Sequence, residues 1–134
     1  MALIRCAGSG SQPTETTLYT ATSGSSQSSL TCNLSESMEN FDFIKFTFIE
    51  TQGSSNQKYC LVPSADFIAA GQVGNNDGYT SFTSPVVRKT NITYIRTLTA
   101  TSATVVTVGR NVQVHGSGDL DAYNMLVNIV GVKY

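Results

Sequence analysis

The stretch Phe41 to Glu50, Phe-Asp-Phe-Ile-Lys-Phe-Thr-Phe-Ile-Glu, constrains the fold more than any other part of the chain. On an extended backbone Ile44, Phe46 and Phe48 fall on one side while Lys45 and Thr47 fall on the other, the period-two pattern of a strand with one buried face. Phe41 and Phe43 break that alternation, so the start of the strand is expected to be covered on both faces or bulged. Asn40 precedes the run, and Thr51 to Gln57 follows it with Gly53, Ser54, Ser55 and Asn56, residues that favour turns. Lys58 to Val62 then reads as the antiparallel partner of the first strand. Pro63 closes the pairing by removing a backbone donor.

The same alternation recurs along the chain. Thr16 to Thr22 and Ser28 to Leu34 read as strands, the second placing Leu30, Cys32 and Leu34 opposite Ser29, Thr31 and Asn33. Ser35 to Asn40 is expected to form one helical turn, capped by Ser35, with Met38 tucked under the sheet. Ser64 to Ala70 suits either a helical turn or a strand turning a corner. Gly71 to Gly78 is a loop by composition. Thr80 to Lys89 is extended, and Pro85 assigns it to an edge. Asn91 to Thr99 reads as one strand with Ile92, Tyr94, Arg96 and Leu98 on a common face. Ala103 to Val108 and Arg110 to His115 read as a pair around Gly109. Gly116 to Tyr123 is a polar loop. Asn124 to Tyr134 is so apolar that it is expected at the centre of a sheet or between subunits. With about nine short strands between turn signals and no long amphipathic helix, the expected fold is all-β: a two-sheet antiparallel β-sandwich, jelly-roll-like. Residues 1–15 are read as a short strand and flexible lead-in, and residues 16–134 as a single sandwich domain.

Length and composition narrow the function classes. A chain of 134 residues, 40% hydrophobic, buries one core without metal or disulfide support. Charged residues are 13% and the net charge is -1, so no basic field exists to attract phosphate backbones, and nucleic acid is not an expected partner. Ser and Thr make up roughly a quarter of the chain, which gives strands a neutral, hydroxyl-rich outer face. The apolar run at Met1 to Cys6 is too short for a signal peptide, and no run is long enough to span a bilayer; synthesis in the cytoplasm without a cleaved leader is expected, with no membrane insertion. Cys6, Cys32 and Cys60 are odd in number and far apart, and are expected as reduced, buried thiols.

Catalytic chemistry is poorly provided for. His115 is the one histidine, no Gly-x-Ser-x-Gly elbow occurs, and no zinc spacing is present, so neither an enzyme nor a cofactor is expected. Asn75-Asn76-Asp77 and Asp119-x-Asp121 supply too few oxygens for calcium and read as turn residues. Binding is better provided for. Tyr79, Phe82 and Tyr123 lie near Asn75, Asn76, Asp77, Asp119 and Asp121, with His115 beside the second loop, and aromatic faces next to amides and carboxylates suit sugar rings. The alternative is that these aromatic residues complete the edge of the core.

Leu18-Tyr19, Leu30 to Ser37, Phe41-Asp42-Phe43-Ile44, Val62-Pro63, Thr104 to Arg110 and the terminal Ile129-Val130-Gly131-Val132-Lys133-Tyr134 occur in an order that resembles a recurring module. The chain is similar to the C-terminal β-sandwich domains of bacteriophage and prophage tail-fibre or minor structural proteins, especially from phages of gut Firmicutes. That resemblance implies a β-sandwich displayed on the virion, often a homotrimer, with other virion proteins and a host-surface glycan as partners. Such domains usually end long proteins, whereas here at most fifteen residues precede the module, which fits either an expressed fragment or a stand-alone capsid decoration or head-fibre protein. A carbohydrate-binding accessory module of a bacterial surface or secreted protein would share the composition.

Overall fold

The computed structural model describes residues 12–22, 29–51, 56–72, 82–85, 87–89, 92–110, 112–115 and 123–134. Among them are eleven strands and one helix: β1 (Thr14–Thr20), β2 (Leu30–Asn33), β3 (Phe43–Thr51), β4 (Gln57–Pro63), α1 (Ser64–Gln72), β5 (Phe82–Thr83), β6 (Val87–Lys89), β7 (Ile92–Ile95), β8 (Thr97–Ser102), β9 (Val105–Val108), β10 (Val112–His115) and β11 (Tyr123–Lys133). One antiparallel sheet runs β1-β11-β3-β4, a second runs β2-β9-β8-β5, and a three-stranded sheet runs β10-β7-β6. The fold is thus an all-β two-sheet sandwich, with the small third sheet continuing the second.

The Phe41 stretch does what its alternation requires. Ile44, Phe46 and Phe48 are fully buried between the sheets with Leu18, Cys32, Val62, Leu98, Val106, Val108, Leu126 and Ile129. Each such aliphatic or aromatic side chain contributes roughly 1.5–3 kcal/mol by leaving water. Phe43 turns to the opposite face, where its ring meets Tyr134 edge-on at 5.9 Å. Phe41 lies just ahead of the strand, and its ring sits over Gly131, where a Cβ would come within 2.6 Å of three ring atoms. The start of β3 is therefore covered on both faces. Within this sheet the register shifts fall elsewhere, on β11 between Leu126 and Asn128 and on β1 between Thr17 and Tyr19.

β4 pairs with β3 from Ile49↔Gln57 to Phe43↔Pro63, as the turn residues between them imply. The apolar β11 is central, flanked by β1 and β3, so burial within one chain accounts for its composition. β1 begins at Thr14, ahead of the first apolar signal, because its ladder to β11 starts there, at Thr14↔Lys133; Glu15 faces outward, 3.2 Å from Lys45. The turn after β2 is a single 3-10 turn, Met38–Asn40, capped by Ser37 rather than Ser35, with Met38 fully buried.

Ser64 onward resolves to helix. α1 presses Phe67 into the core, edge-on to Phe46 at 5.5 Å and to Phe82 at 5.4 Å. Its last turn approaches β8 so closely that a Cβ at Gly71 would collide with the Ala100 carbonyl.

Two readings of the later chain are corrected. Residues 91–99 are not one strand, since β7 and β8 lie in different sheets on either side of Arg96. Nor do the segments flanking Gly109 pair with each other: β9 pairs with β2 and β8, while β10 pairs with β7. The physical reason is shared by three neighbouring segments. β5 gives way to β6 after Ser84 and Pro85, β7 to β8 at Arg96, and β9 to β10 after Gly109, so all three cross from one sheet to the other along a common seam.

Candidate functional site

The seam is built by the only fully buried arginine among the described residues. The alternation that faces Tyr94 and Leu98 inward carries Arg96 inward too, and all three side chains are buried. A guanidinium there must find acceptors or lose its hydration uncompensated. Arg96 Nε donates to the Gly109 carbonyl at 2.7 Å and Nη1 to the Asn124 carbonyl at 3.3 Å. Its backbone is tied as well: Arg96 N donates to Ser84 Oγ at 2.9 Å, and Ser84 N donates back to the Arg96 carbonyl at 2.8 Å. Gly109 N reaches across to the Thr97 carbonyl at 2.7 Å. Backbone groups that the strand ladders release at the break are thereby satisfied.

Asn124 completes the cluster from the other sheet. Its backbone takes φ 55, a left-handed conformation that Asn tolerates better than most residues. That turn of the chain aims Asn124 Nδ2 at Ser84 Oγ, 2.9 Å away, while Ser84 Oγ donates to the Pro85 carbonyl at 3.1 Å. Asn124 Oδ1 is buried and has no partner.

Electrostatics around the seam favour neutral neighbours. Burial pushes the Arg96 guanidinium down to about 10, an effect that nearby Cys32 opposes. Cys32 is pushed up to about 11 by burial, which the Tyr19 hydroxyl and Arg96 only partly offset, and Tyr19 is raised for the same first reason. Cys60 is also pushed up to about 11 by burial; its Sγ lies 3.8 Å from the Thr83 carbonyl. Cys32 and Cys60 are free thiols, Cys32 buried and Cys60 half-buried. A protonated thiol is a poor nucleophile, so these two pack rather than react.

The residues singled out for binding divide around this seam. Asn75, Asn76, Asp77, Tyr79, Asp119 and Asp121 lie outside the described residues. Phe82 opens β5, half-buried, with its ring packed on Phe67 and the core behind it, so it finishes the core edge. His115 ends β10, where it pairs with Thr93, and Tyr123 opens β11, opposite Thr51. The segment 73–81 leads into Phe82 and the segment 116–122 joins His115 to Tyr123. Their exits meet at the Asn124–Ser84 hydrogen bond, one residue after Tyr123 and two after Phe82.

Sequence reasoning passed over Arg96, Ser84 and Asn124 as a set. One signal was available: a charged residue in phase with Ile92, Tyr94 and Leu98 on a face that is otherwise apolar. Ser84 and Asn124 carried none, since both read as ordinary strand-end residues. No family model and no curated protein matches the sequence.

Proposed function

We propose that the chain is a non-enzymatic structural module of a phage or prophage virion, whose loops contact a host-surface glycan while the sandwich holds them in place. The observation that carries the reading is the hydrogen bond between Asn124 and Ser84, which fixes the strands following both candidate loops to one buried polar cluster. Rigid anchoring of this kind lowers the entropy that a loop loses when it closes on a ligand. The Tyr, Asn and Asp content of those loops, beside strands rich in Ser and Thr, suits stacking on sugar rings with hydroxyls bridged by amides. Phe82, committed to the core edge, is left out of the contact set.

The test is adsorption of labelled protein to host cells, followed by a glycan array. Saturable binding that Tyr79→Ala and Tyr123→Ala together reduce at least tenfold is expected, with unchanged far-UV circular dichroism. An empty array and no adsorption would remove the glycan. Tail, holin and endolysin genes beside the coding sequence are expected for the virion assignment, and a neighbouring secreted hydrolase would favour an accessory module instead. Assembly into a trimer is read by light scattering at micromolar concentration.

A further inference from the structure

Among the described residues the three sheets end on β1 and β4, on β2 and β5, and on β10 and β6. Edge strands are kept from pairing further by shortness, bulges and outward charge. β2, β5, β6 and β10 have four residues or fewer, and β1 carries a register shift between Thr17 and Tyr19 and an outward Glu15. β4 lacks these protections. It runs seven residues in unbroken register with β3 and carries the exposed large hydrophobic side chains of the described residues, Tyr59 at 63% and Leu61 at 37%. The phase of its ladder follows from two bonds at its ends: Ser64 N donates to the Asp42 carbonyl at 3.0 Å, and Glu50 N to the Asn56 carbonyl at 3.4 Å. In the same register Ile44 faces Val62 and Phe46 faces Cys60, so even-numbered residues of β4 exchange bonds with β3 and odd-numbered ones turn their backbone groups away from it. That side, where β4 has no strand partner among the described residues, presents the N–H and C=O of Gln57, Tyr59 and Leu61 and the carbonyl of Pro63, whose missing N–H is harmless there.

Such an edge accepts an extended segment, and β4 itself has the matching sequence. We propose that β4 is a self-pairing edge, through which two copies of the chain join their first sheets antiparallel about a two-fold axis at Cys60. In that register Tyr59 of each copy stands opposite Leu61 of the other, and the two exchange both backbone bonds. Both exposed apolar side chains are thereby covered twice, on the outer face where they flank Thr47 and Lys45. Gln57 N–H meets the Pro63 carbonyl, so the position that cannot donate is asked only to accept. Charge agrees with the pairing as well. The outer-face side chains of β4 are uncharged, and Lys58 falls opposite Val62 rather than its own symmetry mate, so no like charges meet. An axis at Tyr59 instead would set Leu61 against Gln57 and leave it half covered. Seven residues from each copy bury less than the roughly 1,200 Å² of a stable interface, which places the dissociation constant at about 10–100 µM. The pairing stands apart from the glycan reading, and it closes at two copies rather than three.

Sedimentation equilibrium of the full chain from low micromolar to millimolar concentration is expected to show a monomer giving way to a dimer. Amide exchange of the ¹⁵N-labelled chain reads the edge directly. Cys60 and Val62, already bonded to β3, should exchange slowly at every concentration, whereas Tyr59 and Leu61 should slow about fivefold as the dimer fills. Tyr59→Glu and Leu61→Lys, both at exposed positions, should each weaken pairing about tenfold with unchanged circular dichroism. An equimolar mixture of the two variants should associate again to within about threefold of the native constant, because it keeps one Tyr–Leu contact and replaces the other with an ion pair. Only the register about Cys60 brings those two positions together. A chain that stays monomeric at millimolar concentration, leaving the edge to a strand of another protein, would overturn the assignment. So would a trimer, self-association that leaves the Tyr59 and Leu61 amides fast, or a mixture that fails to recover.

Discussion

β11 and the run from Ile92 to Ser102 are of equal length and similar alternation, yet one is a single strand and the other is cut in two. Along β11 the inward positions hold Leu126, Ile129 and Gly131, and the strand stays in one sheet from end to end. In the other run the inward positions hold Tyr94, Arg96 and Leu98, and the chain changes sheets at the arginine. The difference lies in what the buried side chain demands. An apolar one asks only for contact, which a continuous ladder provides, whereas a guanidinium needs acceptors, and the end of β9 at Gly109 and the left-handed backbone at Asn124 present carbonyls to serve it. Charge placed in an otherwise apolar phase is thus where the sandwich divides its second sheet.

The hardest blow to that comparison is Arg96→Ala. It removes a large buried side chain and leaves the Gly109 and Asn124 carbonyls without their donor, a loss of about 3–5 kcal/mol in unfolding free energy. Arg96→Lys keeps the charge but not the planar fork, and about 2 kcal/mol is expected. Urea midpoints at constant m-value measure both. A cost under 1 kcal/mol for the alanine variant would mean that the arginine does not hold the seam.

The glycines of the two regions sharpen the contrast against intuition. Gly109 stands at the break and Gly131 inside the continuous strand, so the former looks the more essential. A Cβ at Gly109 would come 3.3 Å from the Thr97 carbonyl, a tight but adjustable contact, whereas one at Gly131 would meet the Phe41 ring at 2.6 Å. Gly131→Ala is expected to cost about 1–3 kcal/mol by overpacking and Gly109→Ala less than 1 kcal/mol. Reversal of that order in thermal denaturation would show that Phe41 moves freely.

How much of this was legible beforehand follows the same division. The β3–β4 hairpin, the buried Met38 and the central β11 could be read because each depends on apolar periodicity and on turn residues, which act over a few positions. The seam could not, because its logic is non-local: Ser84, Arg96, Gly109 and Asn124 are scattered in sequence and acquire meaning only when the sheets bring them together. Ser64 to Gln72 became helix although its composition allowed either state, since Phe67 gains the Phe46 and Phe82 rings by that geometry. The candidate loops had aromatic and polar content but no register, and of their residues only Phe82 is placed by side chain, against the core.

Asn124 is where the two regions touch, and substitutions there separate backbone from side chain. Asn124→Ala loses the bond to Ser84 and strains the left-handed φ, for about 2 kcal/mol; Asn124→Gly loses the bond but relaxes the backbone, for about 1 kcal/mol. Equal costs in urea denaturation would assign the effect to the hydrogen bond alone.

The thiols test both sheets by pH, Cys32 lying in β2 and Cys60 in β4. Each titrates near 9 when the chain is unfolded and about 11 when folded, so the folded state holds its proton longer. Their contribution is complete below pH 9 and is lost as pH rises through 11. A melting temperature that declines between pH 9 and 11, and declines less in Cys32→Ala and Cys60→Ala, is the expected result. Matching slopes in all three proteins would contradict the burial effect.

The smallest effect belongs to the outer face of the continuous sheet. Lys45 Nζ lies 3.2 Å from Glu15 and 5.6 Å from the centre of the Tyr59 ring, joining β1, β3 and β4 across their exposed side. Such geometry invites the conclusion that an ionic clasp holds the edge strand β1. Solvent argues otherwise: half of the Glu15 side chain is exposed, so water and salt screen the attraction, and ordering two long side chains offsets much of what remains. A double-mutant cycle of Glu15→Gln and Lys45→Met is expected to return a coupling of about 0.5 kcal/mol, falling further in 0.5 M salt. β1 is held instead by its ladder to β11 and by Leu18 beneath it, so Leu18→Ala should cost several times that coupling. Should the cycle exceed the cost of Leu18→Ala, electrostatics rather than burial would govern the continuous sheet as well, and the contrast between the two regions would lose its basis.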